Sequence, residues 1–172
     1  MRTRTCLLFC TQIILVTTAI SNETQPPSRS AAAFQQLTKL AGKWEGIQDG
    51  ERISVTYTVT ANGSALMEQD KPQQEPSAEM ITMFTVDGDR LIATHYCSAR
   101  NQPQMVSTTI GNLEKDGVTF SLDRVTGMKT PDDWHNTGLT ITQQDADHIT
   151  QHWTYRYKGT SGATTFHYAR KK

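Results

Sequence analysis

The chain has 172 residues, with 17 basic side chains, 17 acidic side chains and a formal net charge of +0. This balance argues against a nucleic-acid partner, because binding to a phosphate backbone needs a basic face. A chain of this length can bury an adequate core without disulfides, so a single folded domain is expected.

The N-terminus has the pattern of a secretory signal peptide. Arg2 and Arg4 precede an apolar stretch, and Ala19-Ile20-Ser21 is typical of a cleavage site. The apolar stretch is shorter than the roughly 20 residues that a membrane-spanning helix needs, so cleavage is favoured over a retained anchor. We therefore predict a signal peptide over residues 1–21, a secreted or periplasmic mature protein and no membrane span after cleavage.

Removal of residues 1–21 leaves a mature chain with two more acidic than basic side chains. Cys97 is then the remaining thiol, so an intramolecular disulfide is excluded. Residues 22–29 are polar and proline-rich and are predicted to form a disordered lead-in. The folded domain is expected to cover residues 30–172.

A short helix is predicted at the start of this domain. Phe34, Leu37 and Leu40 recur at helical spacing, Ser30 is a candidate N-cap, and Gly42 is a stop signal.

From Lys43 onward the pattern is that of short β-strands separated by tight turns. Ten strands are predicted: 43–48, 52–61, 64–70, 79–87, 90–98, 104–113, 118–125, 137–144, 148–158 and 163–170. Hairpin-linked strands of this kind form a meander, and closing the meander removes both exposed edges. The predicted fold is therefore all-β, a ten-stranded antiparallel up-and-down barrel with a short N-terminal helix. The two longer loops, 72–76 and 128–134, are expected near a pocket.

The strand around His95 carries the candidate site. Strand alternation places Leu91, Ala93, His95 and Cys97 on one face, so a histidine and a thiol share a mostly apolar surface. If this face lines a cavity, we expect a ligand to contact a set of inward, end-closing and turn residues: Trp44, Tyr57, Met67, Phe84, His95, Cys97, Asn101 and Gln102. The alternative is a buried, hydrogen-bonded histidine beside an inert cysteine, followed by a structural turn at Pro103.

The segment from Leu40 to Gly46 resembles the G-x-W opening of lipocalins and related calycin barrels. In that superfamily the tryptophan closes one end of the barrel and an arginine from a late strand packs across its ring. The resemblance implies this role for Trp44, with Arg156 or Arg170 as the arginine.

A longer resemblance covers the chain from Phe34 to about Trp153. The segments 55–68, 79–84, 87–89 and 94–97, with Asn101-Gln102-Pro103, are similar to a family of bacterial secreted lipocalin-like proteins of unassigned function. This resemblance implies the fold and the compartment but no reaction.

The chain more distantly resembles the heme-binding, ten-stranded nitrobindin barrels. They share the opening pattern, matched here by Gly42, Trp44 and Gly46, and take their iron ligand from a histidine near the C-terminus. His167 is the candidate at that position, but alternation places it opposite Phe166, and it points outward if Phe166 points inward.

The predicted function is the binding of a small apolar or amphipathic molecule in the barrel. One alternative is a heme- or metal-binding barrel that acts on a small reactive species through His167 or His95. Another is an enzyme that uses His95 with Cys97 as a nucleophile. No cofactor or metal is predicted, because the chain has no C-x-x-C or H-E-x-x-H pattern. The sequence leaves the ligand's identity and the oligomeric state open.

Overall fold

The computed structural model describes residues 26–72 and 76–172. The predicted signal peptide and the first part of the predicted lead-in lie outside these residues. The described chain forms one α-helix and ten β-strands: α1 Arg29–Thr38, β1 Gly42–Gln48, β2 Glu51–Thr60, β3 Ala65–Asp70, β4 Met80–Asp87, β5 Arg90–Tyr96, β6 Gln102–Ile110, β7 Val118–Thr126, β8 His135–Asp145, β9 His148–Tyr157 and β10 Thr160–Arg170.

The strands form a closed antiparallel barrel with the simplest possible order. Each strand pairs with its neighbours along the chain, and β1 pairs with β10 to close the ring. The predicted up-and-down barrel of ten strands with a short N-terminal helix is therefore confirmed. Within the described ranges, no helix is long and apolar enough to cross a membrane.

Helix α1 lies across one end of the barrel, called here the helix end. Ala33, Phe34 and Leu37 are buried in the core, and Gln36 accepts a hydrogen bond from the backbone N–H of Leu113 in the β6–β7 loop. The helix also contacts β2, β4, β5 and β6. Because β2 and β6 are not neighbours in the ring, α1 must cross the opening between them.

The helix begins earlier than the sequence predicts. Its N-cap is Ser28, whose Oγ accepts a hydrogen bond from the backbone N–H of Ala31 at 3.1 Å. The predicted cap, Ser30, is buried inside the first turn and donates to the carbonyl oxygen of Gly88 in the β4–β5 turn at 2.7 Å. The capping prediction is thus wrong by two positions, because the hydroxyl of Ser30 serves a tertiary contact.

Trp44 fills the helix end. Its ring is fully buried, its Nε1 donates to the carbonyl oxygen of Leu40 at 2.8 Å, and the guanidinium of Arg170 lies 4.1 Å from the ring centroid. The end-closing role of Trp44 that the lipocalin resemblance implies is therefore present. The arginine is Arg170 and not Arg156, which is exposed on β9.

The interior divides into two halves along the barrel axis. Nearer the helix end it is filled by fully buried apolar side chains, which include Leu66, Phe84, Leu91, Met105, Phe120 and Ile141. Toward the opposite end, called here the far end, the same strands place buried polar side chains inward, which include Glu68, Thr82, His95 and Gln151. The apolar half holds the fold together, and the polar half leaves room for a site.

Candidate functional site

A cavity of about 640 Å³ occupies the far half of the barrel. Its walls come from β3, β4, β5, β8, β9 and β10 and from the segments next to β5 and β8. The lining residues are Glu68, Asp70, Met80, Thr82, His95, Cys97, Ser98, Ala99, Trp134, Asn136, Gln151, Trp153, Tyr155, Thr164, Phe166 and Tyr168.

The strand face that carries the candidate site points into the barrel. Leu91 and Ala93 are fully buried in the core, and His95 and Cys97 follow them into the cavity wall. The face therefore points inward as expected, but only His95 and Cys97 line the cavity, and binding of a ligand by these two side chains stays a prediction.

Three other predicted ligand contacts lie in the packed interior. Trp44 closes the helix end, and Phe84 packs against Phe120 with ring centroids 5.7 Å apart. Tyr57 is buried behind the cavity wall, where its hydroxyl accepts a hydrogen bond from Gln151. None of the three is among the residues that line the cavity within the described chain.

The remaining predicted contacts also lie outside the cavity. Alternation along β3 turns Met67 to the outer face, since Leu66 and Glu68 on either side of it are buried inside. Asn101 is buried but donates to the carbonyl oxygen of Trp134 at 2.6 Å, which fixes a loop of the far end. Gln102 accepts a hydrogen bond from Thr126 on the neighbouring strand. None of these three side chains lines the cavity of the described chain.

His95 is held as a neutral imidazole. Its Nδ1 hydrogen-bonds the hydroxyl of Thr82 at 2.9 Å, and its ring packs against Trp153 with centroids 4.9 Å apart. Burial lowers the pKa of His95 to about 4, because the charged form is poorly solvated there. At neutral pH this side chain offers a hydrogen bond but no positive charge.

Cys97 is a protonated thiol in this environment. Its Sγ accepts a hydrogen bond from the backbone N–H of Ala99 at 3.4 Å, and burial raises its pKa above the ordinary value. A reactive cysteine needs the opposite shift, toward the thiolate. The geometry therefore does not favour the nucleophile that the His95 and Cys97 hypothesis requires.

A hydrogen-bonded chain at the base of the cavity centres on Glu68. Gln151 Nε2 donates to Glu68 Oε2 at 2.8 Å and to the hydroxyl of Tyr57 at 2.5 Å, and Trp153 Nε1 donates to Gln151 Oε1 at 2.8 Å. Tyr57 also hydrogen-bonds the Glu68 carboxyl group. This chain fixes the carboxyl group of Glu68 at the cavity wall.

The two carboxyl groups of the cavity have raised pKa values. Burial raises the pKa of Glu68 to about 7, against the lowering effect of its bond to Tyr57, and it raises the pKa of Asp70 to about 6. Burial also raises the pKa of Tyr168, and the charges of Asp70 and Glu68 add to this effect. The cavity thus holds two carboxyl groups, and no lysine or arginine is among the described residues that line it.

Aromatic rings make up much of the remaining wall. Trp134 stacks on Tyr155 with centroids 5.5 Å apart, and Phe166 stacks on Tyr168 with centroids 6.1 Å apart. Ser98 and Ala99 are exposed at the rim. Trp134 comes from the loop that the sequence places near a pocket.

His167 lies on the outer surface of the barrel. Its inward neighbours on β10 are Phe166 and Tyr168, and its own Nδ1 hydrogen-bonds Thr150 at 3.1 Å. His167 therefore cannot ligate an iron inside the cavity, so the nitrobindin-like alternative through this residue is wrong. Within the described ranges, no three His, Cys, Asp or Glu side chains are grouped to hold a metal ion.

The alternation pattern of the single strands does not indicate that Glu68, Asp70 and Gln151 line the interior. A signal for Glu68 was nevertheless present in the β2–β3 hairpin, where Tyr57 pairs with Glu68 and Thr58 pairs with Met67. Residues paired across an antiparallel ladder share a face, so an inward Tyr57 implies an inward Glu68.

Comparison with known proteins supports the fold alone. No family model matches the chain, and no curated protein matches it. Among solved structures, it is similar to the crystal structure of Rv2717c from M. tuberculosis, with a TM-score of 0.55 and 15% sequence identity over 83% of this chain and 99% of that chain. The fold and site thus define a closed ten-stranded antiparallel barrel with an internal cavity, which fits the calycin-like architecture. Membership of the bacterial secreted lipocalin-like family stays a prediction.

Proposed function

We propose that this protein binds a small amphipathic molecule in its cavity and serves as a carrier in a secreted or periplasmic setting. The observation that carries the proposal is the cavity of about 640 Å³. Its volume falls in the range of about 300–1,000 Å³ that is typical of small-molecule sites.

The lining suits a molecule with one apolar and one polar part. The stacked rings of Trp134 with Tyr155 and of Phe166 with Tyr168 provide an apolar wall. Glu68, deeper in the barrel, provides a polar group held in a fixed orientation. Such a combination of apolar wall and few convergent polar groups is typical of binding sites.

Binding is favoured over catalysis by the state of the His95 and Cys97 pair. His95 is engaged with Thr82, and Cys97 accepts from the backbone of Ala99. Burial lowers the pKa of His95 and raises that of Cys97, so both side chains are neutral near pH 7. Because His95 is a weak base and Cys97 stays a thiol, the pair does not supply the thiolate that nucleophilic catalysis needs.

The test is a titration with N-phenyl-1-naphthylamine, a neutral dye that becomes fluorescent in apolar cavities. Thr164 and Ala163 are neighbours on β10, but Thr164 lines the cavity and Ala163 is exposed outside. The added indole in Thr164→Trp fills cavity space, whereas the same addition in Ala163→Trp does not.

We expect saturable dye binding by the unmodified protein and by Ala163→Trp, and binding at least about tenfold weaker by Thr164→Trp, a loss of about 1.4 kcal/mol. Circular dichroism checks that both variants keep the barrel. If the unmodified protein does not bind the dye, or if Thr164→Trp binds it as well as Ala163→Trp does, the proposal fails.

A further inference from the structure

We propose that the ligand is an organic cation, a molecule with a protonated amine on an apolar or aromatic body, and that its ammonium group pairs with Asp70 and Glu68. This inference rests on the proposed function and narrows its ligand to one chemical class.

The charge of the cavity favours a cationic ligand. Asp70 and Glu68 occupy alternate positions on β3 and face the same interior, where Asp70 is the register partner of Met80. Among the described residues that line the cavity there is no lysine or arginine, and His95 is neutral at pH 7 because burial lowers its pKa. An anionic ligand would therefore meet only like charge.

Ionising these carboxyl groups inside the barrel is costly. Burial raises the pKa of both Asp70 and Glu68, since their ionised forms lose solvation and the described residues that line the cavity include no lysine or arginine to offset the loss. A neutral apolar ligand would deepen this loss of solvation. An ammonium group would offset it, because a charge-assisted hydrogen bond to a carboxylate is about twice as strong as a neutral one.

Another wall of the cavity holds a hydrogen-bond acceptor without a partner among the described residues. Asn136 is only 5% exposed and lines the cavity, and its Oδ1 has no hydrogen-bond partner within the described chain. Leaving a buried acceptor unpaired costs about 1–3 kcal/mol. Asn136 lies on β8, which is opposite β3 in the ring of strands, so a turn of its amide toward the cavity would let a donor at the far end of a ligand satisfy it.

The aromatic character of the wall also favours an organic cation. Trp153, Tyr155, Phe166 and Tyr168 line the same space as the carboxyl groups. Aromatic faces attract organic cations through the ring quadrupole and pack well against a planar body. The acidic groups, the aromatic walls and the unpaired acceptor together favour an organic cation that carries hydrogen-bond donors.

The test is a calorimetric titration with three molecules that share a phenol ring and differ in charge. Tyramine is a cation, tyrosol is neutral, and 4-hydroxyphenylacetate is an anion. The titration is done at mildly alkaline pH, where Asp70 and Glu68 are ionised and the amine is protonated. We expect tyramine to bind at least about tenfold more tightly than tyrosol, and the anion to bind most weakly.

Two Asp→Asn variants distinguish a specific ion pair in the cavity from an effect of the protein's net charge. Asp70→Asn removes one negative charge from the cavity. It is expected to weaken the binding of tyramine at least about tenfold without changing the binding of tyrosol. Asp123→Asn removes the same charge from the exposed face of β7 and is expected to change neither. Glu68→Gln provides a second interior variant should Asp70→Asn fail to fold.

The outcomes distinguish this inference from the proposed function. If N-phenyl-1-naphthylamine binds but tyramine binds no better than tyrosol, or does not bind, the ligand is not a cation and the carrier function stands. If the dye does not bind either, both proposals fail. If Asp123→Asn weakens tyramine as much as Asp70→Asn does, the effect is one of net charge and the assigned pairing is overturned.

Discussion

The side-chain amide of Gln151 links the cavity wall to the packed interior through hydrogen bonds. Trp153 donates to its Oε1, which fixes the orientation of the amide, so both hydrogens of Nε2 point toward Glu68 and Tyr57. Both donors of the amide are then used, and the group has little capacity left for a ligand. Its role is to hold the carboxyl group of Glu68 in place.

Cys97 is expected to react slowly with thiol reagents. Its pKa is raised by burial, and only the thiolate attacks a disulfide reagent. Labelling by 5,5′-dithiobis(2-nitrobenzoate) at neutral pH, followed at the Cys97 peptide by mass spectrometry, should be at least about tenfold slower in the folded protein than in urea. Equal rates in the two states would mean that the thiol is accessible and that the cavity wall is open there.

At the scale of single residues, alternation predicts an apolar face well and a polar interior poorly. The inward direction of His95 and Cys97 follows from Leu91 and Ala93 before them. Glu68 is different, because a carboxyl group on a strand usually faces solvent and its neighbour Met67 is apolar. Only the pairing of β3 with β2 reverses that expectation. The pattern of β3 alone does not reveal which residues of β2 it faces.

Arg170 connects three elements at the helix end. Its guanidinium donates to the carbonyl oxygens of Lys39 and Ala41, which follow α1, and to that of Ala146 in the β8–β9 turn. It also covers the ring of Trp44 on β1. One side chain of the last strand thus ties together the helix, the first strand and a distant turn.

Replacement of this side chain should destabilise the whole barrel. Arg170→Met keeps much of the apolar stem but loses the hydrogen bonds and the cation–π contact, so we expect the free energy of unfolding to fall by about 2–4 kcal/mol. Urea unfolding measures the change.

The matched control is Lys172→Met, because Lys172 is a cation near the same end with a side chain that is 86% exposed. Its replacement should change the free energy of unfolding by less than about 0.5 kcal/mol. Equal stability of Arg170→Met and the unmodified protein would show that the connections at the helix end contribute nothing to stability.

At the scale of elements, the helix itself is predictable and its first residue is not. The spacing of Phe34, Leu37 and Leu40 indicates one apolar face, and this face is buried. Ser28 and Ser30 are equally suitable caps by residue type. The choice depends on Gly88, a partner in a turn that local sequence does not reveal.

For the whole molecule, the buried carboxyl group of Glu68 makes stability depend on pH. The unfolded chain releases the Glu68 proton near its usual pKa of 4.5, whereas the folded protein keeps it until a pKa of about 7. The unfolded state therefore binds fewer protons between these values, and stability falls as the pH rises through this window. His95 has the opposite effect, since its lowered pKa of about 4 costs stability as the pH falls from 6.5.

The variant Glu68→Gln isolates the contribution of the carboxyl group. Its stability relative to that of the unmodified protein should improve from pH 4.5 to pH 7, the window set by the pKa of Glu68, by on the order of 3 kcal/mol. Urea titrations across this window measure the difference, with Glu114→Gln as an exposed control. A difference that does not change with pH would show that Glu68 titrates as an ordinary carboxyl group.

The overall architecture is the part of the molecule that the sequence predicts best. Turn signals such as Asp87-Gly88-Asp89 separate the strands. A meander of such strands forms a barrel when its first strand pairs with its last. The position of the cavity is harder to predict from the sequence, because it depends on which opposing side chains meet across the interior. Phe84 and Phe120 fill the helix end from different walls, and nothing in either strand alone indicates that contact.

The closure of the ring also has a consequence for how the chain folds. Only two register pairs join β1 to β10, Trp44 with Arg170 and Glu45 with Ala169. Every other pairing of the described strands joins neighbours along the chain, whereas this one joins the first strand to the tenth. Because closing so long a loop costs more conformational entropy than forming a hairpin, we expect the hairpins to form first and the ring to close last. Until it closes, β1 and β10 are two unpaired edges at which the sheet can pair with another copy of the chain.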